Sequence, residues 1–312
     1  MTHPETLAVV GSIHGNEPFG QAVHRAIQAD PAFATAGIVS TEGHPEALAA
    51  GERFLGNESE LGSLLPGDPN SPNPDRRAAA RLHDWLDGQN AWLAVSLHDN
   101  DGAMRGSNYL ALGASTTVGQ LAVAHVVGVR DIMVTAGYAF FTAHPEVVEI
   151  EQAVQAGNEQ RKVTEMLGHL WRLQELGPEG LAGLYDGAGL RFYLRLGSFL
   201  LEKGGRPNQF ILDRLDRLEA VFADRDPSDI ARFEALPLPE DLKEELGLGG
   251  LQLAVSSWNH INSSRLADRG VSPQGIRRRE VLGSCLVQTQ PQIDADGTVT
   301  FPPLERDLSH WR

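Results

Sequence analysis

Leu7-Ala8-Val9-Val10-Gly11-Ser12-Ile13-His14-Gly15-Asn16-Glu17-Pro18-Phe19 is the stretch on which the fold turns. Residues 7–11 form a short apolar run ending in Gly, the pattern of a strand buried on both faces. Residues 12–18 are turn-rich. From Phe19 to Ala29 the apolar positions Phe19, Ala22, Val23, Ala26 and Ile27 recur at helical spacing. Strand, loop, helix is the opening of a βαβ unit.

The same alternation continues along the chain. Strands are predicted at 37–40, 92–97, 109–112, 131–135 and 147–150, and helices at 76–86, 117–127 and 158–176. Between them, residues 43–73 are rich in Gly, Pro, Asn and Ser and read as a long loop. The expected fold is α/β, with a mixed, mostly parallel twisted sheet flanked by helices and a C-terminal α+β extension. A composition change around Gly177–Gly189 divides the chain into 1–180, the expected catalytic domain, and 181–312, expected to pack on the site or gate it. Residues 190–247 read as mainly helical. The runs 282–288 and 298–301 read as strands flanking the hairpin turn Asp294-Ala295-Asp296-Gly297.

Composition narrows the function classes. The 312 residues carry 26 Lys plus Arg against 41 Asp plus Glu, a net charge of −15, which repels phosphate backbones and argues against nucleic acid as a partner. The longest apolar runs fall well short of the roughly 20 residues that span a bilayer. The N-terminus lacks the basic start of a secretory signal. One cysteine excludes an intrachain disulfide and any multi-thiolate metal site. The expectation is a soluble cytoplasmic protein.

In open α/β sheets, sites form in the loops beyond the C-terminal ends of the strands. Two such ends carry histidines: His14, with Glu17 three residues on, and His98 after residues 92–97. Two histidines and a glutamate leave zinc an open coordination position, the arrangement of catalytic rather than structural sites. Alone, His-x-x-Glu is a short pattern that also arises by chance. Its placement after a buried strand and before a helix is far more restrictive.

Gly11 to Glu17 resembles the Gly-x-x-His-Gly-Asn-Glu signature of the succinylglutamate desuccinylase and aspartoacylase family, within the zinc carboxypeptidase superfamily. The resemblance extends over residues 5–176. It implies that His14 and Glu17 ligate zinc, one ion per chain, and that His98, in Ser96-Leu97-His98, supplies the third ligand. It implies further that Glu149, in Val148-Glu149-Ile150, is the general acid/base, with Glu151 the nearby alternative. The implied activity is hydrolysis of the amide bond of a small N-acyl amino acid or related amide.

The sequence departs from that family where the substrate is held. The Asp-Leu-Asn-Arg-x-Phe-Pro-Gly segment corresponds to residues 60–67, with Gly62 for Asn and Ser63 for Arg, and the Asp before Leu-His is Ser96. A guanidinium fork binds a carboxylate through two charge-assisted hydrogen bonds, which Ser cannot reproduce. Arg53 and Arg105 remain as candidates to grip a substrate carboxylate, and Asn108 and Tyr138 as polar contacts. These losses leave two alternatives open: a non-catalytic descendant that binds a small molecule or a partner, and a carboxypeptidase acting on peptides. The remaining histidines take plainer readings. His24 and His83 are expected to face water or pack at a helix edge, His44 and His144 precede prolines in turns, His125 packs in an apolar helix, and His260 is the tail histidine with some prospect of reaching the site. Self-association through residues 181–312 is an alternative role for that half.

Overall fold

A computed structural model describes residues 5–56, 61–100, 108–155, 157–198, 214, 217, 231–235, 237–255 and 284–302. The chain divides into two compact units, Met1–Gly102 with Asn108–Leu190 and Ile293–Thr300, and Ala103–Ser107 with Arg191–Gln292 and Phe301–Arg312.

In the first unit, β1 (Leu7–Gly11), β2 (Ile38–Glu42), β3 (Leu93–Asn100), β4 (Tyr109–Gly113), β5 (Asp131–Thr135) and β6 (Val147–Ala153) form a sheet in the order β2-β1-β3-β6-β4-β5. Every adjacent pair is parallel except β6 with β4, so the sheet is mixed and mostly parallel, as the sequence predicts. Helices α1 (Pro18–Ala29), α2 (Pro31–Thr35), α3 (Pro45–Ala50), α4 (Pro74–Gln89), α5 (Val118–Val127), α6 (Ala139–Ala143) and α7 (Glu159–Ala182) connect and cover it. Leu7, Ala8, Val9 and Val10 are wholly buried, which is why this strand reads as an unbroken apolar run. Helix α1 buries Phe19, Val23 and Ile27 and turns its polar residues outward.

Two strands run further than their apolar runs suggest. Strand β3 continues to Asn100 and β6 to Ala153, so His98 and Glu149 lie within strands rather than at their ends. All but one of the extra residues are polar, and cross-strand pairing, not apolarity, keeps them extended: His98 registers with Glu151, Asp99 with Gln152 and Asn100 with Ala153. Helix α7 bends where its periodicity stops, at Gly177, whose φ of 59° and ψ of −177° are non-helical before Pro178.

Of the range 190–247, expected to be mainly helical, residues 191–198 are strand instead, and 199–213, 215–216, 218–230 and 236 lie outside the described residues. Residues Arg191–Ser198 form strand β7, antiparallel to β9 (Ser284–Thr289), which pairs in turn with β8 (Leu253–Val255). The described helix of the second unit is α8 (Glu240–Glu245). Phe192, Tyr193 and Leu194 are all buried, so the segment shows no alternation, and its pairing with β9 makes it a strand. The Asp294–Gly297 turn forms, with Gly297 at φ 84° and the Asp294 N–H donating to the Thr298 carbonyl at 3.0 Å. Its strands are β10 (Gln292–Ile293) and β11 (Val299–Thr300); the run at 284–289 belongs instead to the β7-β9-β8 sheet. Among the described residues, no helix is long and apolar enough to cross a membrane.

Candidate metal centre

The loop after β1 is held by close backbone packing. A Cβ on Gly11 would lie 2.3 Å from the Gly20 carbonyl oxygen, so α1 approaches the strand end closely only because both residues are glycine. A Cβ on Gly15 would lie 2.1 Å from the carbonyl carbon of Ala47, which presses the loop against α3. Ser12 takes a left-handed φ of 55° and its hydroxyl donates to the Glu17 carbonyl at 2.8 Å. This brings His14 and Glu17 to one side of the loop.

Glu17 occupies the N-cap position of α1, but its carboxylate does not cap the helix. It turns to two imidazoles instead. His14 Nδ1 donates to Glu17 Oε1 at 2.7 Å, and His98 Nδ1 donates to Glu17 Oε2 at 3.0 Å. The duty it leaves passes to Asp99 on β3, which accepts the Phe19 N–H at 2.9 Å and so ties the start of α1 to the strand carrying His98. Burial pushes the Asp99 carboxyl up to about 6; the Phe19 hydrogen bond opposes this and the charges of Glu17 and Glu151 add to it.

His14, Glu17 and His98 are 4%, 7% and 2% exposed, and one donor atom from each lies within 4.8 Å of the others. Burial alone would push the Glu17 carboxylate toward its neutral form, but His14 and then His98 overrule it and hold its pKa well below the usual carboxylate range. Burial likewise opposes charge on His98, and the carboxylates of Glu149 and Glu17 overrule it, raising its pKa well above that of a free imidazole. Three buried donors held around one point by their own charges suit a divalent cation. Tetrahedral zinc with bonds of ~2.0–2.1 Å places its donors ~3.3 Å apart, so the observed 2.7 and 3.0 Å spacings need only a small spread. The set fits zinc and leaves an open position.

The other nitrogen of His98 is also surrounded. Nε2 lies 3.1 Å from Ser96 Oγ and 3.5 Å from Glu149 Oε1. Glu151 Oε1 stands 4.0 Å from Nδ1. The two carboxylates, alternate residues on one face of β6, therefore flank opposite nitrogens of one imidazole. Glu149 is the more enclosed, with its side chain 10% exposed against 17% for Glu151. Its Oε1 is buried with no hydrogen-bond partner among the described residues.

The structure sorts the remaining candidates. Arg53 reaches the cluster, donating from Nη1 to Glu17 Oε1 at 2.7 Å, and its side chain is 45% exposed. Asn108 does other work: its Oδ1 accepts the Ala153 N–H at 2.7 Å and clips the start of β4 to the end of β6. Arg105 and His260 lie outside the described residues. Gly62 is explained by Tyr138: a Cβ at position 62 would lie 2.1 Å from the tyrosine hydroxyl oxygen, so Tyr138 occupies space that a larger residue would need.

Sequence reasoning misses Asp75. It is wholly buried, bonds His44 Nε2 at 2.8 Å, and accepts the N–H groups of Leu55 at 2.8 Å and Gly56 at 2.5 Å. Those bonds fasten the segment that carries Arg53. Its signal is faint, an Asp after Pro in a helical first turn. His44, read as a turn residue, is fully buried against it.

A scan of the sequence against protein-family models finds no match, and a search of curated proteins finds none either. Solved structures are similar in fold. The succinylglutamate desuccinylase from Chromobacterium violaceum superposes with a TM-score of 0.59 at 15% identity, covering 92% of this chain and 86% of that one. The enzyme from Vibrio cholerae gives 0.57 at 12% identity, covering 96% and 86%. That from Vibrio parahaemolyticus gives 0.56 at 11%, with the same coverage. In fold, the chain is thus similar to the succinylglutamate desuccinylases.

Proposed function

We propose that the chain is a zinc-dependent amidohydrolase that cleaves the amide bond of a small N-acyl amino acid or related amide. The convergence of His14, Glu17 and His98 in a buried cluster carries this reading. Zinc held there supplies a Lewis acid for the scissile carbonyl and lowers the pKa of bound water toward ~7. The chain does the rest. His14 and His98 present Nδ1 toward the common point, and Glu17 spans both imidazoles with its two oxygens. Ser96 and Glu149 border the outer nitrogen of His98 and fix the ring's orientation.

Glu149 is assigned the proton, taken from water and delivered to the leaving amine. Its buried Oε1 makes no hydrogen bond among the described residues and faces the His98 imidazole at 3.5 Å, so it keeps a lone pair available to a proton. Arg53 sits at the half-exposed edge of the cluster, where a substrate carboxylate can exchange with Glu17 for its guanidinium. With Tyr138 against Gly62, the substrate side differs from the Asn-Arg pair of the resembled family, and N-acyl aspartate and N-succinylglutamate are not the favoured substrates.

The test begins with elemental analysis of protein purified without added metal. About one zinc per chain, lost in His98→Ala, is the expected result, followed by amine release from a panel of N-acyl amino acids. Wild-type protein that stays metal-free after dialysis against zinc overturns the reading.

A further inference from the structure

A second group of metal-ligating side chains lies in the same compact unit, at the other end of β6. His83 and Asp87 stand one turn apart on α4, and His144 closes α6 just before β6 begins. One donor atom from each lies within 4.8 Å of the others. His83 Nδ1 and His144 Nε2 face each other at 2.8 Å, with ring centroids 4.9 Å apart. Asp87 Oδ2 is 3.6 Å from His83 Nε2, and its Oδ1 is 3.8 Å from His144 Nδ1. Glu146 Oε1 lies 3.2 Å from the same Nδ1.

We propose that His83, Asp87 and His144 form a second divalent-metal site, one that clips the last turns of α4 to the turn leading into β6. Two imidazole nitrogens at 2.8 Å share a single proton, since two N–H groups cannot point at one another. A cation in place of that proton satisfies both lone pairs at once. It requires the nitrogens to separate to ~3.3 Å. His144 is only 2% exposed and is a fixed anchor, whereas the Asp87 side chain is 62% exposed and can swing to complete the set. Glu146 holds the far nitrogen of His144, the hydrogen bond that usually orients a metal-bound imidazole. Two imidazoles and a carboxylate select zinc, copper or nickel over magnesium and calcium, which prefer all-oxygen ligands. The length of β6 separates this group from the His14 cluster: His144 precedes the first residue of the strand, whereas Glu151 near its far end registers with His98.

Tag-free, metal-stripped protein titrated with zinc chloride in a calorimeter tests the proposal, with cobalt(II) absorption as a second readout. Wild type is expected to bind two equivalents and His98→Ala one. In otherwise wild-type protein, His83→Ala and Asp87→Asn should weaken one of the two equivalents at least tenfold and leave amide hydrolysis unchanged. Zinc should raise the melting temperature of His98→Ala but not of the His83→Ala/His98→Ala double variant. Two equivalents retained in His83→Ala, or one wild-type equivalent abolished by His98→Ala, overturns the second site. If the His14 reading fails instead, His98→Ala and wild type titrate alike while His83→Ala loses its zinc, so the two failures are distinct.

Discussion

Among the described residues lie two clusters of two histidines and an aspartate or glutamate, and they differ in almost everything except donor type. His14 and Glu17 sit in the loop after β1 and His98 within β3, all three buried, with both nitrogens of His98 flanked by carboxylates. His83, Asp87 and His144 sit at the opposite end of β6, with one buried anchor and one largely exposed carboxylate. The contrast teaches that burial and field decide what a donor set is for. In a buried, low-dielectric cluster beside a carboxylate, an ion can act on a substrate. At a half-solvated junction between a helix and a strand, it can only hold elements together. On the two proposals made above, the first arrangement serves as a reaction centre and the second as a clip.

The largest effect that would break this distinction comes from Glu17→Ala. Both histidines lose their shared carboxylate, so zinc should be lost from this site and kcat/KM should fall ~10³-fold or more, the scale of several kcal/mol of charge stabilisation. Retained metal with retained turnover would put the chemistry elsewhere. Glu149→Gln sharpens the comparison further. It should keep the zinc and lower kcat by ~10²–10⁴-fold, with little change in KM. Glu151→Gln, measured alongside, should cost much less; a reversal of the two would move the proton to Glu151.

Stability provides the next test. Asp75→Ala removes one partner of a wholly buried pair and orphans the Leu55 and Gly56 N–H groups, so about 3–5 kcal/mol of unfolding free energy should be lost in urea titrations. In the surviving folded protein KM should rise, because the segment carrying Arg53 is released. A small loss with unchanged KM would show that the loop holds without Asp75. Gly62→Asn should cost about 1–3 kcal/mol by overpacking against Tyr138, and Tyr138→Ala should relieve it. The smallest effect belongs to the second cluster: without metal, His83→Ala should change stability by only about 1 kcal/mol, since it loses one imidazole hydrogen bond.

The β1–loop–α1 segment carries its fold and half of its site in local order. An apolar run, a glycine-bounded loop and a 3.6-residue period determine where the chain turns, and His14 and Glu17 are three residues apart in one loop. His98 is legible too, because it follows a buried strand of the same kind. The pairing of β7 with β9 is not, since local composition around residue 191 resembles a helix-rich segment and only a partner far along the chain makes it a strand.

Thus the sequence by itself determined the alternating α/β architecture, the acidic surface and the identity of the two histidines and glutamate beside the first and third strands. Tertiary structure alone decided which nitrogen of His98 faces Glu17, that Glu149 and Glu151 flank opposite sides of that ring, that Asp75 fastens the loop of Arg53, and that His83 meets His144. The physical reason is one of range. Periodicity is written in residues a few positions apart, whereas these contacts join residues 19 to 81 positions apart, and strand register and helix packing set them.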